Sequence, residues 1–365
     1  MTSALLIAGC GAVTAVGLTA GQTCAAMRAR LSGFGRVSLL PPPAEPVCVG
    51  QVPAARRLKR SPTEWLVNMA ALALRECLDS LPVHSHRVAL LLALPDSHRA
   101  HPGMDGLSGE AVLQAVQRRL QLRMHPLSQV LDDGHASALR GLARARQLLS
   151  LSDVEACVVG GVDSLVNQVD VERLRAGHRL HDESNPQGVI PAEGAAFVAV
   201  TQQGWSTPAL AQVVGVGVAQ EQDTILGERF STGLALVEAL EAASKDAGCA
   251  EPLLSFRVSD MNGERYRSWE SLLASTRFYR TRREHMSVNY AASSVGDVGV
   301  AAGALGLIAA ATSIHRGHAS GPWGVCEASS DNGLRAACIV GPAPGAPSPP
   351  FRSRTAWERS AAVRA

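Results

Sequence analysis

Aromatic residues are scarce, at 4% of 365 positions, and no long run of lysine or arginine accompanies them. A nucleic-acid surface needs a basic stripe with rings to stack on, and a membrane-surface helix needs a basic face, so neither partner is expected. The formal net charge of +2 is spread over many acids and bases. No CxxC pair or zinc spacing occurs. The eight cysteines (10, 24, 48, 77, 157, 249, 326 and 338) are dispersed, several inside apolar runs, and read as free thiols of a reducing compartment. His84, His86, His98 and His101 flank a strand without forming a recognisable ligand set, so no metal is assigned. No basic segment precedes Ala4-Leu5-Leu6-Ile7-Ala8, and the longest apolar helical stretch, 301–314, is shorter than the about 20 residues a bilayer requires. A cytoplasmic protein without membrane contact is expected.

With 46% hydrophobic and 18% charged residues, the chain can bury the core of one or two α/β units. Strands are predicted at 4–8, 88–94, 155–160 and 195–201, with helices at 20–31, 62–79 and 135–149. Helix 62–79 has the clearest start: Ser61 as N-cap, Pro62 at the first helical position, and Glu64 placed to reach back. A second series follows, with strands at 210–218, 254–259, 323–328 and 335–340 and helices at 231–247, 266–275 and 298–316. Its order roughly repeats the first, which suggests two structurally related layered α/β halves, 1–204 and 205–342. Residues 343–365, rich in proline and then arginine, are expected to be a disordered tail.

Gly9-Cys10-Gly11 follows a first strand, but Thr14 occupies the third glycine position of a dinucleotide fingerprint and no acid ends the next strand. These glycines are expected only to supply a tight strand-to-helix turn. Glu193, set among small residues directly before an apolar run, is expected to be a structural carboxylate tying turn amides together, in preference to an acid-base catalyst. The stretch Leu131-Asp132-Asp133-Gly134-His135-Ala136-Ser137 reads as a strand, a sharp turn and a helix start, with Leu139, Leu142 and Ala145 facing inward. A side chain at position 135 would face the helix amides, which disfavour protonating a histidine, and Asp133 is placed to cap the helix. Arg56, Arg57, Lys59 and Arg60 read first as a solvated loop, and second as a surface steering an acidic carrier.

Five segments resemble the thiolase-fold condensing enzymes, specifically β-ketoacyl synthases of the elongating type, over most of residues 1–342. Ile7 to Gly17 is similar to the family's opening strand, Cys157 to Ser164 to its "GGV" strand, and Gly188 to Ala196 to its "DGFVxGEGAG" segment. Gly296 with Ala301 to Gly306 resembles its "GHxxGAAG" helix, and Ser329-Ser330-Asp331-Asn332-Gly333 stands where the family has its "FGFGG" loop. The resemblance implies a thiolase-like αβαβα fold, no cofactor, and a homodimer in which the strand near 155–160 pairs across a two-fold axis.

The family works through a cysteine nucleophile and two histidines that assist decarboxylation and stabilise the enolate. Aligned on those motifs, His135 replaces the cysteine, Asn262 the first histidine and Asp297 the second, while Ser330, Asp331, Asn332 and Gly333 rebuild the glycine-rich turn. Condensation through an acyl-cysteine is therefore not expected, and an enolate would be disfavoured beside Asp297 and Asp331. The first expectation is a non-catalytic scaffold or accessory protein that binds a protein partner, an acyl carrier protein or an acyl group. It is similar to stand-alone relatives found with type VI secretion modules, or to the inactive partner in chain-length-factor heterodimers. The alternative is an acyltransferase or thioester hydrolase in which a His135/Asp297 pair activates water.

Overall fold

The computed structural model describes residues 3–53, 60–96, 99–202 and 208–345. Arg56, Arg57, Lys59, His98 and residues 346–365 of the expected tail lie outside the described residues. Among the described residues, no helix is long and apolar enough to cross a membrane.

The described residues form twelve strands: β1 (Leu5–Val13), β2 (Phe34–Val37), β3 (Val47–Gly50), β4 (Val88–Ala93), β5 (Gln129–Leu131), β6 (Ala156–Ser164), β7 (Glu193–Thr201), β8 (Ala211–Gln220), β9 (Leu254–Ser259), β10 (Ser287–Tyr290), β11 (Trp323–Ser329) and β12 (Leu334–Gly341). Among the same described residues nine α-helices accompany them: α1 (Ala20–Arg28), α2 (Pro62–Asp79), α3 (Gly109–Leu120), α4 (Ser137–Leu148), α5 (Gln168–Ala176), α6 (Leu234–Ala247), α7 (Arg265–Phe278), α8 (Ala292–Val295) and α9 (Ala302–His315). Helix α2 starts where its local chemistry dictates. The Glu64 amide donates to the Ser61 hydroxyl at 3.2 Å, and the Ser61 amide donates back to the Glu64 carboxylate at 2.9 Å.

Ten strands run in the order β10-β9-β11-β12-β8-β1-β7-β6-β4-β5, and β2 pairs with β3 separately. From β1 outward, β7 and β6 pair antiparallel while β4 and β5 continue in parallel. From β8 outward the same orientations recur through β12, β11, β9 and β10. At the centre β1 and β8 share only Leu5–Ile7 against Ala211–Val213. Helices α2 and α3 cover one outer face, α6 and α7 the other, and α4 and α9 lie between the two sets of strands. The result is the layered αβαβα arrangement. Helix α9, Ala302–His315, is apolar around most of its circumference, as a helix enclosed on all sides must be.

Two expectations are corrected here. Gly9 and Gly11 lie inside β1, not in a turn; a Cβ on Gly11 would come within 2.0 Å of the Ala73 carbonyl oxygen, so the glycines let α2 press onto the strand. The segment 155–160 cannot pair across a two-fold axis, because β6 is hydrogen-bonded to β4 on one side and β7 on the other. Strands β5 and β10 are the free edges.

Candidate functional site

In a parallel arrangement the loops at the carboxyl ends of strands converge, and here those of β5, β9 and β10 meet. A 3-10 turn, Gly134–Ala136, follows β5 and carries His135, which is buried. Asn262 lies between β9 and α7, and Asp297 follows α8. The Asp297 backbone is clamped to the neighbouring segment: its amide donates to the Ile190 carbonyl at 2.9 Å, and its own carbonyl accepts the Ala192 amide at 2.9 Å.

These three positions are brought together. His135 Nε2 lies 2.8 Å from Asp297 Oδ1, which also accepts the Gly299 amide at 2.8 Å. Asn262 Nδ2 donates to Asp297 Oδ2 at 2.6 Å and to Glu264 Oε2 at 2.9 Å. Burial opposes a charge on His135, as does Arg267, but the adjacent Asp297 outweighs both and raises its pKa above the ordinary histidine value. The sequence-based expectation for protonation is thereby reversed. Position 135 precedes α4 in a 3-10 turn, and a full carboxylate charge at contact outweighs a helix-end partial charge. Burial likewise opposes the Asp297 charge, yet His135, Arg267 and Asn262 hold that carboxyl well below the usual range. Asp133 does not cap; it makes no side-chain capping bond and forms an ion pair with Arg140.

The remodelled loop closes over this group. Ser330 Oγ accepts the Ala136 amide at 2.9 Å, tying the β11–β12 turn to the His135 turn. The Gly333 amide donates to the Ser330 carbonyl at 3.1 Å to close the turn, and the Asn332 carboxamide oxygen accepts the Leu334 amide at 3.2 Å. Asp331 bridges two arginines, with Oδ2 at 2.8 Å from Arg179 Nη1 and Oδ1 at 3.0 Å from Arg267 Nη2. Arg179 also holds Glu264 by two bonds, at 2.5 and 3.0 Å, and Arg267 reaches Asp260 at 3.0 Å. Burial works against the Asp331 charge, but Arg179 and Arg267 hold it far below the usual carboxylate range. The carboxylates identified in the sequence are thus largely answered by cations. Arg179, Glu264, Arg267 and Asp260 were missed; the three-residue spacing of Glu264 and Arg267 at the start of α7 is the one local signal.

A small cavity lies on the Asp297 side of this group. Between Asp260, Asp297, Val298 and the first turns of α9 the cavity is about 10 Å3, room for at most a single water. A hollow of about 360 Å3 lies outside, bordered by Arg179, Phe230, Glu264, Arg265 and Tyr266, and none of His135, Asn262 and Asp297 lines it. Cys157 offers no substitute nucleophile: its thiol sits in β6, 3.7 Å from the Ala145 carbonyl, and burial pushes its pKa up to about 12.

Glu193 opens β7 and is fully buried. It accepts from the Val52 amide at 3.1 Å, the Trp65 indole at 3.1 Å and the Ser164 hydroxyl at 2.9 Å, linking three segments. The histidines are scattered in role: the rings of His84 and His86 stack, while buried His101 contacts the Ser164 carbonyl at 3.0 Å. Among the described residues no cluster of histidine, cysteine or acidic side chains could hold a metal. Arg60 is exposed ahead of α2.

No family model matches the sequence, and no curated protein matches it. Solved structures do. A type II polyketide synthase acyl-carrier protein in complex with its ketosynthase bound to the hexaketide aligns with a TM-score of 0.78 at 13% identity, over 94% of this chain and 100% of that one. The ketosynthase from module 6 of the bacillaene synthase of Bacillus subtilis 168 aligns at 0.77 and 13%, over 93% and 72%. The ketosynthase of Xenorhabdus doucetiae in complex with its chain length factor aligns at 0.73 and 13%, over 93% and 98%. At these identities the likeness concerns architecture, and the chain has the thiolase-like fold of the ketosynthases.

Proposed function

We propose that the chain is a catalytically degenerate β-ketoacyl synthase homologue that serves as a non-catalytic scaffold or accessory protein. The observation carrying this reading is the closed site: His135, Asn262 and Asp297 are all buried, linked through the Asp297 carboxylate and tied by Glu264 to the arginine-carboxylate lattice. His135 is buried and its Nε2 is held by Asp297, so the ring is not presented to an acyl thioester. The occupant is instead a protein partner or an acyl group held elsewhere. Solved complexes of ketosynthases with a chain length factor or an acyl-carrier protein supply the precedent for such pairing. An accessory place beside a type VI secretion module, a cytoplasmic location and a homodimer extend the same proposal; the edges β5 and β10 are the strands open to pairing. The division into halves 1–204 and 205–342 is proposed likewise, supported by the recurring strand orientations about β1 and β8.

One observation favours hydrolysis as the second reading, the 2.8 Å contact between His135 and Asp297. Against it, the His135 Nε2 that would take a proton from water is already held by the buried Asp297 carboxylate. The test is incubation of the full chain and of His135→Ala with acetyl and octanoyl thioesters, read by intact mass and by thiol release. The scaffold reading expects no adduct and no release above the buffer rate. Release that disappears in His135→Ala would establish the hydrolase and overturn it.

A further inference from the structure

We propose a second, independent site: a cavity of about 810 Å3 beside edge strand β10 that binds the phosphate group of a small phosphate ester. Its volume lies within the about 300–1,000 Å3 of small-molecule pockets. Arg28, Arg30, Arg316 and His318 line it, and no aspartate or glutamate does. Among the described residues, none of the three arginines has an ion-pair or hydrogen-bond partner through its side chain. Exposed arginines without a side-chain partner occur elsewhere among the described residues, as at Arg75 and Arg282, but here three of them border one hollow that no acid lines, a local surplus of cation.

Helix ends do not account for them. Arg28 and Arg316 sit at the C-terminal ends of α1 and α9, where cations ordinarily complement the dipole. Those ends are already closed by backbone. The Leu31 amide donates to the Ala26 carbonyl at 3.0 Å, and the His318 amide to Ser313 at 2.8 Å. Arg30 is moreover held at φ 57°, a left-handed conformation that costs a non-glycine residue energy. The rest of the lining suits an ester: Ser287, Asn289, Tyr290 and Ser313 offer hydrogen bonds to a polyol, and Phe256 with Val288 supplies an apolar wall. Arginine presents its donors in a fork that matches phosphate oxygens.

The site is separate from the closed one. Helix α9 presents its first turns to Asp297 and its last turn to this cavity. Its occupancy therefore does not depend on whether the reading given above holds.

Titration calorimetry on the full chain with AMP, pyrophosphate and adenosine tests the assignment. AMP and pyrophosphate are expected to bind saturably at one site per chain, and adenosine not to bind. Arg28→Ala and Arg316→Ala, both exposed and therefore tolerated by the fold, are expected to weaken AMP by about tenfold each with an unchanged melting temperature. Absence of saturable binding by both AMP and pyrophosphate would overturn the proposal. Equal binding of adenosine and AMP, or unaltered AMP affinity in both variants, would overturn it as well.

Discussion

Replacing His135 with leucine removes the imidazolium from Asp297 while leaving a side chain of comparable bulk. The carboxylate keeps its bonds from the Gly299 amide at 2.8 Å and Asn262 at 2.6 Å but loses its nearest cation. Removing one partner of a buried ion pair costs about 3–5 kcal/mol, and those two surviving hydrogen bonds place this case near about 3 kcal/mol. For a chain of 365 residues the unfolding entropy is about 0.8 kcal/mol per kelvin, so the melting temperature should fall by about 4 °C. The pair also fixes how that gap varies with pH. Asp297, held below its ordinary range, contributes stability above about pH 3.9 and loses it as pH falls; His135, raised, contributes fully below about pH 6.5 and loses it as pH rises through its folded value. The full effect is therefore expected between about pH 4 and 6.5, shrinking toward pH 9. Scanning calorimetry of both proteins across that range measures it. A gap that stays constant from pH 5.5 to 9, or a leucine variant that melts higher, would refute the charged-pair account.

Further outcomes follow from single contacts. Glu193→Gln turns an NH2 toward one of three donors, the Val52 amide, the Trp65 indole or the Ser164 hydroxyl, and should cost about 1–3 kcal/mol in urea unfolding. Gly299 has φ 55°, and a Cβ there would stand 2.0 Å from Asp163 Oδ2, whereas Gly106, at φ 67°, faces open space. Gly299→Ala should lose well over about 1 kcal/mol, and Gly106→Ala about that much, so thermal melts of the two separate collision from backbone strain. A thiol reagent at pH 7.5 should leave Cys157 unmodified in the native protein, since burial lifts its pKa to about 12; peptide mapping after quenching checks this.

Helix α2 could be read from sequence because Ser61, Pro62 and Glu64 act within one turn of each other. The partners of Asp331 lie 152 and 64 residues away, and nothing local specifies them. Hence the motif register brought out His135, Asn262 and Asp297 as positions, while the arginines that answer the carboxylates became visible only in three dimensions. The same limit explains the reversed protonation of His135: a helix end is local, whereas Asp297 is 162 residues distant. Strand edges were misjudged for a related reason. An apolar run such as β6 announces burial, but which neighbours bury it depends on chain order across the whole sheet. The strands β5 and β10, of three and four residues, and the polar helix α5 are too short for a period to stand out, whereas α3 carries Val112, Leu113, Val116 and Leu120 on one face behind a Ser108 cap and was legible in the sequence.

The two outermost strands, Gln129–Leu131 and Ser287–Tyr290, are three and four residues long. A row of unpaired backbone groups is a template for stray strand addition, and at this length each rim offers only a couple of ladder bonds. The molecule is thereby insulated against runaway polymerisation at both ends. Any association across those rims must draw its strength and its selectivity from side chains, so a docked surface can change partners through a few substitutions without disturbing the ten-strand frame.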